Sequence, residues 1–223
     1  MPKLALPFGE MEDLPDAPLG LPPGWMTAFE MKVLYNFARR GSGDFLEIGT
    51  WIGRSSTAIA MGFRDAGPTD RRLDMVDLGF VSMADFDARL HVGNDKYLLR
   101  DEVCRPIMAP GGVIAGLIEN LRARDLLRYV TSVIRGDVAD VPLRSSYGVV
   151  FCDAVHNVEE IAVTGPVLAR ILRPGAWLVC DDLCEAALVD ALERHLKFDV
   201  KTQLREIDPA SKAMVGRVIE ARY

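Results

Sequence analysis

The sequence predicts an α/β protein built on a doubly wound sheet, mostly parallel, with an antiparallel strand pair at its C-terminus. Three observations lead there. Short apolar runs at 44–48, 73–76, 147–152 and 176–180 have the continuous hydrophobicity of strands buried on both faces. Helical patterns at 55–64, 113–127 and 158–172 separate most of them, which is the alternation of a parallel sheet covered by helices. The last two strand-like segments, 198–205 and 213–220, are joined only by residues 206–212. A parallel crossover needs about a dozen residues or more, so these two form a hairpin with one strand running against the sheet.

Each element follows in order. Residues 1–24 carry prolines at 2, 7, 15, 18, 22 and 23 and read as an extended arm, able to fold over a site or a partner subunit. Thr27 and Glu30 have capping-box spacing, and Phe29, Val33, Leu34 and Phe37 continue at helical spacing until Gly41. The first two strands follow, with the helix of 55–64 between them. Residues 79–112 form a long insertion expected to be irregular and functional. A weaker strand at 129–134 comes next, then the strands at 147–152 and 176–180 and the closing hairpin. At 223 residues and 49% hydrophobic content, the chain suits one large domain over 25–223.

Composition narrows the partners. A net charge of -6 offers no general basic surface, so nucleic acid is not an expected partner. No apolar run is long enough to span a membrane, and residues 1–25 lack a basic-then-apolar leader, so no membrane is expected and a cytoplasmic location is. The four cysteines form no CxxC pair and read as reduced packing residues.

The chemistry concentrates where strands end. In the segment Phe45 to Ser56 an apolar strand enters a glycine turn and then a helix expected to be serine-capped. Gly49 and Gly53 allow a tight turn and close backbone approach to a ligand, and the helix start, with Ser55, offers N–H donors. The second strand ends at Asp77, suited to accept from both hydroxyls of a ribose; a helix cap is its bland alternative. Gly136-Asp137 follows the next strand, either facing an adenine amino group or making a plain turn. The fourth strand leads into Asp153-Ala154-Val155-His156 and the fifth into Asp181-Asp182, so three carboxylates converge at one edge. Such a set repels itself unless protons or a hard cation compensate, and its oxygens suit Mg²⁺; helix capping is again the alternative. His91 and His195 have no ligand spacing near them and read as ordinary surface or helix residues. Trp51, Phe80 and Tyr97 are aromatic enough to line an acceptor pocket, although such residues more often pack.

From about residue 27 onward these ordered motifs resemble the class I S-adenosylmethionine-dependent methyltransferases, a Rossmann-like family. The segment Glu47-Ile48-Gly49 with Gly53 is similar to the family's first motif, and Leu172-Arg173-Pro174-Gly175 to its turn before strand five. The resemblance implies S-adenosylmethionine as cofactor. It places Glu47 at the methionine part, Asp77 at the ribose and Asp137 at the adenine, with Gly49, Gly53, Ser55 and Asp153 also expected to bind the cofactor. Trp51 and Ile52 depart from the commonest motif, where small residues stand. The exits of strands four and five resemble metal-dependent O-methyltransferases of the catechol type, implying Asp153, Asp181 and Asp182 as ligands of Mg²⁺. Here Asp182 replaces an asparagine and no lysine follows Asp153. The Asp-x-x-His spacing also resembles a bacterial branch with sugar-modifying macrolide O-methyltransferases, which makes His156, with Asp153, a candidate for catalytic proton removal. The expected acceptor is a small hydroxylated molecule, and homodimers are common in these families.

Two rival readings stand beside this one. An NAD(P)-dependent oxidoreductase also uses a glycine turn and an acid after the second strand, but Gly-x-Gly-x-x-Gly is incomplete here and the terminal hairpin is foreign to that fold. A non-catalytic relative that binds a nucleoside cofactor is the other, and the gathered acids argue against it.

Overall fold

The computed structural model describes residues 7–17, 19–89 and 100–222. Its centre is a seven-stranded sheet made of β1 (Phe45–Ile48), β2 (Leu73–Asp77), β3 (Ser132–Arg135), β4 (Tyr147–Cys152), β5 (Leu172–Cys180), β6 (Leu196–Gln203) and β7 (Met214–Ala221). The spatial order is β3-β2-β1-β4-β5-β7-β6, with β7 antiparallel to both its neighbours and the first five strands parallel. The expected hairpin and the reversed strand are both present. Edge strand β6 turns Lys197, Asp199 and Lys201 toward solvent, which keeps its open side from pairing with another sheet.

The helices are α1 (Ala28–Arg40), α2 (Arg54–Asp65), α3 (Met83–Arg89), α4 (Asp101–Met108), α5 (Gly112–Ala123), α6 (Val158–Ile171) and α7 (Ala186–Leu192). Strand alternation splits the core between two faces. Phe45, Val149 and Phe151 pack with Leu34, Phe37, Ile59 and Met61 of α1 and α2, whereas Leu46, Val150 and Leu178 pack with Leu168, Ile171 and Leu192 of α6 and α7. The capping box of α1 forms as expected, Thr27 Oγ1 accepting from Glu30 N while Glu30 Oε2 accepts from Thr27 N.

Residues 7–17 and 19–24 form no helix and lie against the chain's own body. Phe8 meets the Phe37 ring edge-on at 5.0 Å, Glu12 exchanges two hydrogen bonds with the Asn36 side chain, and Arg54 donates to the carbonyls of Pro22 and Met26. The insertion corrects one expectation. On both sides of 90–99, which lie outside the described residues along with His91 and Tyr97, it is helical. Val103 and Ile107, one helical turn apart on α4, seat a small core with Ile52, Phe80, Phe86 and Val113, and that burial holds a short helix that local propensity leaves marginal. Among the described residues no helix is long and apolar enough to cross a membrane. Cys152 and Cys180 are buried, as their place in apolar strands predicts.

Candidate active site

The strand order changes direction between β1 and β4, and the crevice beyond their carboxyl ends is where an open α/β sheet binds ligands. The first wall of this crevice is the glycine loop. Gly49 and Gly53 have φ of +82° and +95°, values that favour glycine, and Trp51 between them sits at +47°. Gly49 is also a contact point, because a Cβ there would lie 2.2 Å from the Asp153 carbonyl oxygen. The loop after β1 and the loop after β4 therefore abut.

Glu47 points into this region from β1. It is fully buried; its Oε1 accepts from Ser55 Oγ at 2.5 Å, and its Oε2 is buried with no protein donor. Burial pushes its ionisation up to about 7, the Ser55 and Ser56 hydroxyls pulling down and Asp77 adding repulsion. Ser55 thus serves Glu47, which corrects the expectation of a serine cap. The N-cap of α2 is Gly53 with no side-chain cap, since its left-handed backbone already turns the chain and the Ser55 hydroxyl is engaged elsewhere.

Asp77 ends β2 as expected, but its carboxylate braces the glycine loop. Oδ2 accepts from Thr50 N and Trp51 N, each at 2.8 Å, and from Thr50 Oγ1 at 3.2 Å, while Oδ1 accepts from Gly79 N at 2.7 Å. These loop N–H groups are therefore not open to a ligand. Burial raises the Asp77 ionisation against the pull of those donors. One acceptor position remains on Oδ1, where each carboxylate oxygen has two. Asp137 lies after β3, half-buried, its Oδ1 accepting from Ala139 N in an Asx turn.

The second wall is acidic. Side-chain ligand atoms of Asp153, His156 and Asp182 lie within 4.8 Å of one another. Neither aspartate caps a helix: α6 is capped by Asn157, and the N-cap position of α7 is Glu185. The α6 cap also aims the histidine, because Glu160 Oε2 accepts from His156 N at 2.6 Å and lies 2.9 Å from Nδ1. On its other side His156 Nε2 is 3.6 Å from Asp182 Oδ2. The Glu160 hydrogen bond raises the His156 ionisation to about 9, so at neutral pH the ring is a cation. Burial, then repulsion from Asp181, pushes Asp153 well above the carboxylate range. Asp181 is raised to about 6, by burial first and then by Glu30 and Asp182, and it stands outside the three-residue cluster. Its neighbour Asp182 has φ of +56°, so the chain turns there and sends the two consecutive acids in different directions.

Other residues enter that sequence reasoning missed. Lys212 Nζ is 2.8 Å from Asp182 Oδ1, and Glu30 Oε1 accepts from Ser211 Oγ and Lys212 N. Trp25 of the arm packs on Trp51 with ring centroids 5.8 Å apart, and with Pro23, Gly24, Arg100 and Glu102 they line a hollow of about 180 Å³. Phe80 packs in the small core against Phe86, and His195 stands beside Gly165 of α6, so neither joins the site.

A protein-family model described as a methyltransferase domain matches residues 46–183, from the glycine loop through Asp181-Asp182. No curated protein sequence matches. Among solved structures, the O-methyltransferase TomG from Streptomyces achromogenes, of tomaymycin synthesis and bound to SAM, is 17% identical, covers 88% of this chain and 82% of its own, and superposes with a TM-score of 0.52. The O-methyltransferase NovP is 17% identical over 86% and 80%, with a TM-score of 0.55. CalS11, a TDP-rhamnose 3'-O-methyltransferase of calicheamicin biosynthesis, is 17% identical over 85% and 77%, at 0.54. At such identities the likeness is one of fold.

Proposed function

The chain belongs to this methyltransferase-domain family and is an S-adenosylmethionine-dependent methyltransferase; on that premise we propose that its acceptor is a hydroxyl of a small molecule. One observation carries the proposal: Asp153, His156 and Asp182 converge directly against the glycine loop, so proton-handling groups adjoin the place where a methyl donor would lie. The O-methyltransferase titles of TomG, NovP and CalS11 support it. The nicotinamide oxidoreductase reading gives way to the family match.

The residues present fit the cofactor. Glu47 Oε2, buried and unanswered, suits the ammonium of its methionine part; the glycine loop admits close backbone approach; Asp77 has one acceptor position for a ribose hydroxyl, and Asp137, whose Oδ1 closes an Asx turn, is our assignment for the adenine side. The cofactor supplies an electrophilic methyl group on a sulfonium. The acid cluster acts on the acceptor. Asp153, against the glycine loop, can take the hydroxyl proton in its ionised form, and the His156 cation, held by Glu160, stabilises the negative charge that develops. The rest of the rate comes from alignment of hydroxyl and methyl.

The cluster also fits a small divalent ion such as Mg²⁺, through two carboxylates and an imidazole. Such an ion would supply a further positive charge that acidifies the acceptor hydroxyl. Asp153, Asp182 and His156 would hold it, and His156 must first lose its proton to do so. The described Asp181 carboxylate lies outside this set and would tune its charge.

The test is a methyl-transfer assay with S-adenosylmethionine over catechols, sugars and amines, for the natural chain and Asp153→Asn. Hydroxyl acceptors should be methylated, and the variant should lose about a hundredfold or more in kcat at saturating S-adenosylmethionine. Transfer to amines alone, or an unimpaired variant, would overturn the proposal.

A further inference from the structure

Resting on the ion-binding reading of the acid cluster, we infer that Lys212 is a tethered cation that competes with a divalent ion for Asp182 and so sets the affinity of that site. The pairing of β5 with β7 places it there. Cys180 and Met214 are opposite partners in the antiparallel register, so Asp182, two residues beyond β5, and Lys212, two residues before β7, emerge side by side at the carboxyl edge. Lys212 Nζ then lies 2.8 Å from Asp182 Oδ1.

Its backbone is anchored while its side chain reaches toward water. Lys212 N and Ser211 Oγ both donate to Glu30 Oε1, and Glu30 is itself buried and fixed by the Thr27 capping box. The lysine side chain is 61% exposed, against 24% for Asp182, so its pair with Asp182 is made at the water boundary. Asp182 is thereby shared. One oxygen faces Lys212 and the other faces His156 Nε2 at 3.6 Å. An ion entering between Asp153, His156 and Asp182 gains the carboxylates only by drawing Asp182 away from the ammonium, and the two positive charges repel at close range. Lysine is suited to this exchange, being a compact charge on a flexible stem that makes no bidentate clamp.

The experiment is calorimetric titration of Mg²⁺, and separately Mn²⁺, into the full chain saturated with S-adenosylhomocysteine, comparing the natural protein with Lys212→Gln, Lys212→Met and Lys212→Arg. Both neutral variants should bind the ion roughly tenfold more tightly, while Lys212→Arg stays within about twofold of the parent. Thermal melts establish that each variant is folded, and either neutral variant suffices. Equal or weaker ion binding by folded Lys212→Gln or Lys212→Met overturns the role of Lys212 and leaves the ion site standing. Absence of ion binding in every protein overturns both the inference and the ion-binding reading on which it rests.

Discussion

Replacing Glu47 by glutamine separates a cofactor contact from a purely structural buried acid. The carboxyl is fully buried and its ionisation is raised from 4.5 to about 7, chiefly by burial. A folded-state value above the ordinary one means that the folded protein holds the proton more tightly than the unfolded chain. Stability from this group is therefore fully present below pH 4.5 and is lost as the pH rises through 7. At about 1.4 kcal/mol per pH unit, the loss reaches about 3 kcal/mol. Glu47→Gln cannot ionise and keeps an acceptor for Ser55, although its unanswered amide costs roughly 1 kcal/mol. The cofactor-free variant should thus be more stable than the parent by about 2 kcal/mol at pH 8, and slightly less stable at pH 4.5. Binding should move the opposite way. An ammonium placed against Oε2 favours the carboxylate, so S-adenosylhomocysteine should bind more tightly as the pH rises from 5 to 7, releasing a proton. Loss of one charge-assisted hydrogen bond should weaken the variant's affinity about tenfold to a hundredfold. Urea unfolding across pH 4.5–8, with calorimetric binding in two buffers of different ionisation heat, measures both. A variant that binds S-adenosylhomocysteine as the parent does refutes the ammonium contact, and parallel stability profiles refute the account of the buried carboxyl.

Asp77→Asn leaves one acceptor facing the N–H groups of Thr50, Trp51 and Gly79, and should cost about 2–4 kcal/mol in thermal or urea unfolding while also weakening S-adenosylhomocysteine binding. Stability retained with only binding lost would mean that these loop contacts are not what the carboxylate is for. Gly49→Ala places a Cβ 2.2 Å from the Asp153 carbonyl oxygen at a φ of +82°, and should destabilise by about 3 kcal/mol or more in the same measurement. A melting temperature unchanged from the parent would show that the two loops do not meet as described.

Much of this was legible in the chain because it is local or periodic. The capping box of Thr27 and Glu30 needs only four residues to declare itself, and the doubly buried strands declare themselves by continuous apolar runs. The short connection before β7 forces its antiparallel sense whatever the rest of the sheet does. Strand ends then bring Glu47, Asp77, Asp153 and Asp182 to one edge. What stayed hidden depends on contacts distant in sequence or on a single backbone angle. The departure of Asp181 from the cluster accompanies the left-handed turn at Asp182, a conformation that aspartate adopts more readily than most residues. Ser55 reads as a helix cap until the buried oxygen of Glu47 is seen beside it. Lys212 and Glu30 are separated by 182 residues. The one available signal for Lys212 was topological, since the turn of a hairpin laid beside β5 must return to the edge where β5 ends.

The two edges of the sheet explain why the acids at only one of them are assigned to chemistry. At the amino edge Asp74 is nearly as deeply buried as Glu47, at 2% exposure. Each of its oxygens is answered from within the chain, Oδ1 by Ser132 Oγ and Oδ2 by Arg144 Nε and the Tyr147 hydroxyl. A buried carboxylate with a guanidinium and two hydroxyls for partners is self-sufficient, and it ties β2, β3 and β4 together without need of a ligand. At the carboxyl edge the compensation stops short. Glu47 keeps one oxygen unanswered, Asp153 is raised well above the carboxylate range by burial and by Asp181, and Asp182 is divided between a histidine and an exposed lysine. The unanswered oxygen of Glu47, beside full satisfaction of a similar acid at the other edge, supports the proposal that Glu47 meets an ammonium from outside the chain, and the clustering of Asp153 and Asp182 supports the proposal that they take a proton or a cation.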